Sequence, residues 1–374
     1  MAARGRAPER LRVAPRRTQA VHGSAQHGGA LILARRSVTD RFVVGFAGTT
    51  VPAELARFVR SGAAAGVVLF ARNIAGTAEV AGLVRELRAL WPAEGPPPLI
   101  AVDQEGGPVQ RLKPPICPEF TAIPAMREAA LALGPAGLRR LGAEVGRQLA
   151  AVGFNVDFAP VLDVDTNPDN PIIGARAFGA TQQSVARGAL AFAEGLSEAG
   201  VLPCGKHFPG HGDTDVDSHL ALPVLRHGRE RLEAVELVPF RAAVASGMPL
   251  LMTAHIVYAA LDAELPATLS PRVVPELLRA QLGYDGVVIT DDLEMKAIAE
   301  RFDAAAVARG VVAADVDLLL VCHEVALAEE LAGALAYTTT AEREARANGR
   351  VGRLRVRAQD HAVAASARVP PRVV

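Results

Sequence analysis

The sequence predicts an α/β fold, a (β/α)8 barrel of the TIM type. Three observations predict it. Eight short apolar runs recur along the 374 residues, stretches with helical periodicity lie between most of them, and polar residues gather where the runs end. Continuous apolar strands alternating with amphipathic helices imply parallel strands buried on both faces. A doubly wound sheet is the alternative, but no run is followed by a glycine-rich dinucleotide fingerprint.

The elements follow in order. The first run is residues 42–46. The second, 67–70, leads into Arg72 and Asn73, and the third, 99–102, into Asp103, Gln104 and Glu105. The fourth, 156–158, runs toward Asp163 and Asp165; the fifth, 202–205, delivers Lys206 and His207. The sixth, 250–252, is followed by Thr253 and His255, the seventh, 287–289, by Thr290, Asp291 and Asp292, and the eighth is 318–321. Between them, residues 183–199 place Val185, Ala189, Phe192 and Leu196 at three- and four-residue steps, one face of a helix. Residues 138–152 and 274–282 read the same way. Any one polar pair at a strand end reads equally well as a helix cap or an exposed turn. Six strand ends together predict a single pocket, because barrel sites form at the C-terminal face.

Composition bounds the rest. Half of the residues are hydrophobic, ample for a packed core, and no apolar run reaches the roughly 20 residues of a membrane span. The N-terminal arginines are not followed by an apolar segment and cleavage site, so no signal peptide is expected. Cys117, Cys204 and Cys322, an odd and widely spaced set, predict a reduced, cytoplasmic setting rather than a disulfide framework. Net charge is zero, but residues 1–28 carry +5 and residues 343–374 carry +6, leaving −11 between them. An acidic middle with basic ends argues against nucleic acid as the main ligand. The expected organisation is a disordered Arg-rich segment over 1–28, one catalytic domain over 29–345, and a poorly ordered basic tail over 346–374. Trp91, next to Pro92 and the prolines at 96–98, is expected in a loop at the barrel's far end rather than in a sugar-stacking role.

Residues 206–219, Lys-His-Phe-Pro-Gly-His-Gly-Asp-Thr-Asp-Val-Asp-Ser-His, hold three of the chain's nine histidines with three aspartates and a lysine. Concentrating groups that exchange protons near neutral pH suits a catalytic loop better than a solvated one. Gly210 and Gly212 relieve the backbone around His211, and Pro209 stiffens its approach.

These motifs resemble the bacterial β-N-acetylhexosaminidases of glycoside hydrolase family 3, single-domain enzymes of cell-wall recycling. The resemblance spans about residues 40–345. It rests on Val-Asp-Gln-Glu-Gly-Gly at 102–107 with Val-Gln-Arg at 109–111, Ile-Gly-Ala-Arg-Ala-Phe-Gly at 173–179, the 206–219 loop, Thr-Ala-His at 253–255, and Gly-Val-Val-Ile-Thr-Asp-Asp-Leu at 286–293. It implies that Asp291 is the nucleophile and that Asp217 and His219 are the acid/base dyad. It places Asp103, Arg111, Arg176, Lys206 and His207 on the terminal sugar. It implies terminal β-linked N-acetylglucosamine on muropeptides carrying 1,6-anhydro-N-acetylmuramic acid as substrate. No cofactor, metal or membrane partner is called for, and a monomer is expected.

The chemistry supports these roles. Hydrolysis with retention needs a group to attack the anomeric carbon and another to protonate the leaving oxygen and then activate water. A carboxylate fixed at a strand end suits attack, since it must stay ionised and aimed. His219, with an ordinary pKa near 6.5, can give a proton and take one back, and Asp217 could orient the ring. Adjacent strand residues point to opposite faces, so only one of Asp291 and Asp292 is expected to face the barrel axis. His211, Asp213 and His255 are read as supporting residues, and Phe208 as loop packing. Pro108 stands where the family commonly has an arginine, which predicts an altered loop near Arg111 rather than an inactive protein.

Other readings differ in what they require. A metal hydrolase would use His207, His211, Asp213 and His219, but their spacing does not match a helical His-Glu-x-x-His pattern. A non-catalytic sugar-binding barrel would have lost Asp291 or His219, and both are present. Family β-glucosidases carry a second domain, for which the chain leaves no room after residue 345. A phosphorylase, using phosphate in place of water, stays open.

Overall fold

In a computed structural model, which describes residues 38–214 and 222–368, eight parallel strands close into a barrel. In chain order they are β1 (Phe42–Val44), β2 (Ala64–Leu69), β3 (Leu99–Val102), β4 (Val156–Asp157), β5 (Leu202–Phe208), β6 (Leu250–Thr253), β7 (Val287–Asp292) and β8 (Leu318–Val321). Each pairs with its sequence neighbours, and β1 closes the ring on β8 with Phe42 opposite Leu319 and Val44 opposite Val321. The helices run outside: α1 (Ala53–Arg60), α2 (Thr77–Arg88), α3 (Met126–Val152), α4 (Gln182–Glu198), α5 (Leu237–Ala245), a π-helix (Arg272–Gln281), α6 (Ala304–Ala313) and α7 (Val325–Thr338). A further helix, α8 (Ala341–Arg368), follows them.

Alternation along the strands sorts the apolar residues into two cores. Leu99, Ala101, Leu202, Cys204, Val287, Ile289, Leu318 and Leu320 fill the barrel interior. Ile100, Val102, Leu251, Val288, Leu319 and Val321 face outward into the layer beneath the helices. Both sets are buried, which is why the strands read as unbroken apolar runs rather than alternating ones. The helix predicted over 183–199 forms as α4, with the Thr181 hydroxyl capping the N–H of Ser184 and Val185, Ala189, Phe192 and Leu196 buried. It packs closely on α3, and glycine makes that possible: a Cβ at Gly195 would stand 2.1 Å from the Arg139 carbonyl.

The basic tail expected from residue 346 is not a tail. Residues up to 368 continue α8, which closes the barrel's N-terminal end. Ala347, Val351, Leu354 and Ala358, at steps of three and four, are buried, and the last three join the interior core. Arginines of the same helix meet acids that the sequence alone does not place nearby. Arg350 bonds Asp317 at 2.8 and 2.9 Å and Asp315 at 2.9 Å, and Arg343 pairs with Asp315 at 3.0 Å. Fully buried Arg41, just before β1, bonds the Asp317 and Val316 carbonyls at 2.6 and 2.9 Å and pairs with Glu344. Neutralised charge and a repeating apolar face outweigh a disorder-like composition. The expectation for residues 1–28 lies outside the described residues. All three cysteines are free and buried. Among the described residues no helix is long and apolar enough to cross a membrane.

Candidate active site

The inward phase of the strands leads directly to the site. Continuing Leu99 and Ala101 by two gives Asp103; Leu202 and Cys204 lead to Lys206; Val287 and Ile289 lead to Asp291. These three, at three C-terminal strand ends, line one cleft of about 250 Å³ with Glu105, Arg111, Arg176, His207 and His211. Phe70, Met295 and His323 form part of its rim.

Charge organises the floor. Lys206 Nζ contacts Asp103 at 2.8 Å and Glu105 at 2.5 Å. Arg176 grips Glu105 with two bonds, at 2.7 and 2.8 Å, and Arg111 reaches Asp103 at 3.3 Å. Burial opposes the charges of Glu105, Lys206 and Arg176, but opposite charges win. The Glu105 carboxyl is held well below its usual range, and Lys206 and Arg176 are held above theirs. All three therefore stay ionised at neutral pH. Asp157 lies in the same neighbourhood without a cation of its own; one oxygen accepts the Gln104 N–H at 2.9 Å and the other is unbonded. Burial pushes it up to about 8.

A second cluster sits on the β5 side. Asp163 accepts the N–H groups of His207 and His211 at 3.1 and 2.7 Å, and its second oxygen meets His207 Nδ1 at 2.7 Å. The two imidazoles meet edge to face, 5.7 Å apart. His211 Nδ1 contacts the Thr214 hydroxyl at 2.8 Å, and burial, aided by His207, takes His211 down to about 4. Asp213 accepts from the Thr166 hydroxyl at 2.7 Å and pairs with His227. Residues 213 and 227 stand on either side of 215–221, and Asp217 and His219 lie outside the described residues. His255 is buried, bonded to Thr268 at 2.7 Å and to the Asp292 carbonyl at 2.9 Å. Phe208 is fully buried against Phe240.

Asp291 and Asp292 do not divide between the two faces as strict alternation requires. Both line the cleft, because the β7–β8 register shifts between Ile289 and Asp292 and loosens the pleat at the strand's end. Their surroundings separate them. Burial works against the charge on Asp291, yet His207, His255, the Asp292 N–H and Lys206 bring its pKa below the usual value. Burial and the neighbouring Glu294 and Asp291 push Asp292 up to about 6, while its Oδ1 accepts N–H groups of Glu294 and Cys322. Asp291 Oδ1 accepts one backbone N–H, that of Asp292 at 2.8 Å, whereas Asp292 Oδ1 accepts two.

Pro108 occupies the exposed turn between two short strands, Gln104–Gly106 and Val109–Gln110. The turn bends sharply, with Gly106 at φ 114° and a Cβ there 2.7 Å from Met126. Arg111, beyond it, still reaches the cleft. Trp91 donates to the Ala64 carbonyl at 3.2 Å, at the first residue of β2 and so at the opposite end of the barrel. Glu105 and Asp163 were expected near the pocket as strand-end residues but were given no individual role. Glu105 shares a strand phase with Asp103, which is a usable signal. Asp163 gives only its place after β4.

Residues 38–355 match the family model described as the glycosyl hydrolase family 3 N-terminal domain. β-Hexosaminidase A of Pseudoalteromonas piscicida is 38% identical over 269 residues, 68% of this chain and 45% of that longer protein. A glycoside hydrolase family 3 β-N-acetylglucosaminidase from Paenibacillus sp. FPU-7 superposes with a TM-score of 0.82 at 39% identity, covering 88% of this chain and 63% of that one. NagZ from Neisseria gonorrhoeae, in complex with N-trifluoroacetyl-D-glucosamine, superposes with a TM-score of 0.70 at 30% identity, covering 89% of this chain and 100% of that one. The chain thus spans less than two thirds of the first two relatives and the whole of the third.

Proposed function

Because the chain belongs to glycosyl hydrolase family 3, we propose that it is a retaining β-N-acetylhexosaminidase releasing terminal β-linked N-acetylglucosamine from the non-reducing end of its substrates. The observation that carries this reading is the cleft itself: Asp291, near the end of β7, shares it with an array of fixed charges, Asp103, Glu105, Arg111, Arg176 and Lys206. Such donors and acceptors fit the hydroxyls and amide of a single sugar ring and hold it for attack. The neisserial relative holds an N-acylated glucosamine, which supports the same class of sugar here.

In the first step Asp291 attacks the anomeric carbon and the bond to the leaving oxygen breaks, giving a glycosyl ester. His219, oriented by Asp217, gives its proton to that oxygen. In the second step neutral His219 takes a proton from water, the water attacks the same carbon, and the Asp291 carboxylate leaves. Lys206 and Arg176 keep their charge throughout and fix the ring. Anhydro-muropeptides of peptidoglycan recycling are the proposed natural substrates, met in the cytoplasm by a monomer.

The test is a panel of nitrophenyl glycosides with and without phosphate. The β-N-acetylglucosaminide should react far faster than the β-glucoside, and phosphate should leave the rate and the free-sugar product unchanged. Equal rates on the two sugars would overturn the hexosaminidase reading, and sugar phosphate as the product would make the protein a phosphorylase.

A further inference from the structure

A group of side chains at the edge of the cleft, two of them lining it, is not used by this chemistry. Asp292 and Glu294 leave the end of β7, and His323 follows β8 beside them. One atom from each lies within 4.8 Å of the others. His323 Nδ1 is 3.2 Å from Glu294 Oε2 and 3.7 Å from Asp292 Oδ2. Donors bound to one zinc-sized ion at tetrahedral angles, with bonds near 2.0–2.1 Å, stand about 3.4 Å apart. The two measured separations bracket that value.

The supporting bonds suit a preformed site. Asp292 gives Oδ1 to the N–H groups of Glu294 and Cys322, at 3.1 and 3.2 Å, and this aims Oδ2 at the imidazole. Within the described residues Oδ2 accepts no hydrogen bond. Glu294 is braced by the N–H groups of His323 and Glu324, at 2.5 and 2.9 Å. The His323 ring stacks on Phe70, 6.0 Å away and 16° from parallel, which fixes its direction. Outer bonds of this kind orient metal ligands. Charge points the same way: among the described residues, neither Asp292 nor Glu294 forms an ion pair with an arginine or lysine. Arg72 attracts both carboxylates from beyond ion-pair distance, but two adjacent carboxylates without a paired cation remain a costly arrangement that a divalent ion relieves.

We propose that Asp292, Glu294 and His323 form a binding site for one divalent transition-metal ion of the zinc class, with water completing its coordination. One imidazole nitrogen and two carboxylate oxygens favour such an ion over calcium or magnesium, which take oxygen ligands. The His323 side chain is 54% exposed, so an ion can enter from solvent. The three ligands are different residues from the His207, His211, Asp213 and His219 set weighed from the sequence, and the proposal does not depend on glycosidase activity.

The experiment is calorimetric titration of the full chain with zinc chloride, repeated with cobalt chloride while following visible absorption. One ion per chain is expected, with affinity on the order of micromolar, and with weakening of about tenfold or more in His323→Ala and in Glu294→Gln. His323 is exposed, so its variant should fold, and an unchanged melting temperature without metal checks this. His211→Asn should leave the titration unaltered. Absence of saturable binding below about 1 mM would overturn the proposal. So would binding that survives in His323→Ala, or that is lost in His211→Asn instead. Turnover is not measured, so this proposal and the hexosaminidase reading can each fail alone.

Discussion

Replacing Glu105 with glutamine removes one negative charge from the cleft floor and nearly preserves the side chain's shape. In the native protein this carboxylate meets Arg176 at 2.7 and 2.8 Å and Lys206 at 2.5 Å. The three side chains are nearly out of water, with Glu105 2%, Lys206 4% and Arg176 12% exposed. Removing one partner of a buried ion pair costs about 3–5 kcal/mol, because uncompensated charge stays behind. Asp103 still faces Lys206 at 2.8 Å, so the lower end applies, about 3 kcal/mol. With an unfolding entropy of about 2 cal/mol/K per residue, a barrel of this size should melt roughly 4–5 °C lower. Because the folded Glu105 carboxyl titrates below its unfolded value, its stabilisation is complete above that unfolded value, near 4.3, and is lost as pH falls further. Scanning calorimetry should therefore find a constant gap between wild type and variant from about pH 8 to pH 5, narrowing only near pH 4. A gap under about 1 °C at pH 7 would mean that Glu105 is protonated in the fold, and the charge argument would fail. A gap that shrinks between about pH 8 and pH 6 would assign the effect to some other group.

Three further outcomes are expected. A 2-fluoro sugar with a good leaving group should label Asp291, as peptide mass spectrometry would show, and Asp291→Asn should lower kcat by about 10³-fold or more; a label on Asp292 or Glu294 would mean the wrong carboxylate was chosen. His219→Ala should cost ~10²–10⁴-fold on a natural disaccharide but much less in glycosylation from an activated nitrophenyl donor, and azide should restore turnover. Equal losses on both substrates would make His219 a binding residue. Arg350→Ala, which strips buried Asp317 and half-buried Asp315 of a partner, should cost about 3 kcal/mol in urea unfolding while leaving the KM of the folded enzyme unchanged.

The barrel was legible in the sequence because parallel strands, covered on both faces, leave dense apolar runs that few other structures produce. All eight runs became strands, several of them longer than expected at the site end, where β5 reaches Phe208 and β7 reaches Asp292. Asp103, Lys206 and Asp291 were legible as polar residues at strand ends, and the structure adds that each continues the inward phase of its strand. What the sequence hid depends on distance along the chain. The pairing of Glu105 with Arg176 joins positions 71 residues apart, and that of Arg41 with Glu344 joins positions 303 apart. Helix α8 was misread because Val351, Leu354 and Ala358 are outnumbered by arginines, of which Arg343 and Arg350 find their partners, Asp315 and Asp317, outside the helix. Alternation failed at Asp291 and Asp292 because it describes a regular ladder, and the register shifts there.

Helix α8 also sets when the barrel can be finished. The interior core it covers is supplied by all eight strands, so Val351, Leu354 and Ala358 have no complete surface to dock on until β8 is in place. The first strand waits for the same event, since β1 closes on β8 and Arg41 just before it pairs with Glu344 of α8. During synthesis the early βα units can gather their outer layer as they emerge, but the ring and its floor wait for residues 318–358. The longest-range contacts among the described residues are therefore made together and late, the condition under which closure entropy slows folding most. A ribosome-bound chain ending before residue 341 would expose an apolar lumen, and release of residues 341–358 is the step that converts a set of packed units into one cooperative barrel.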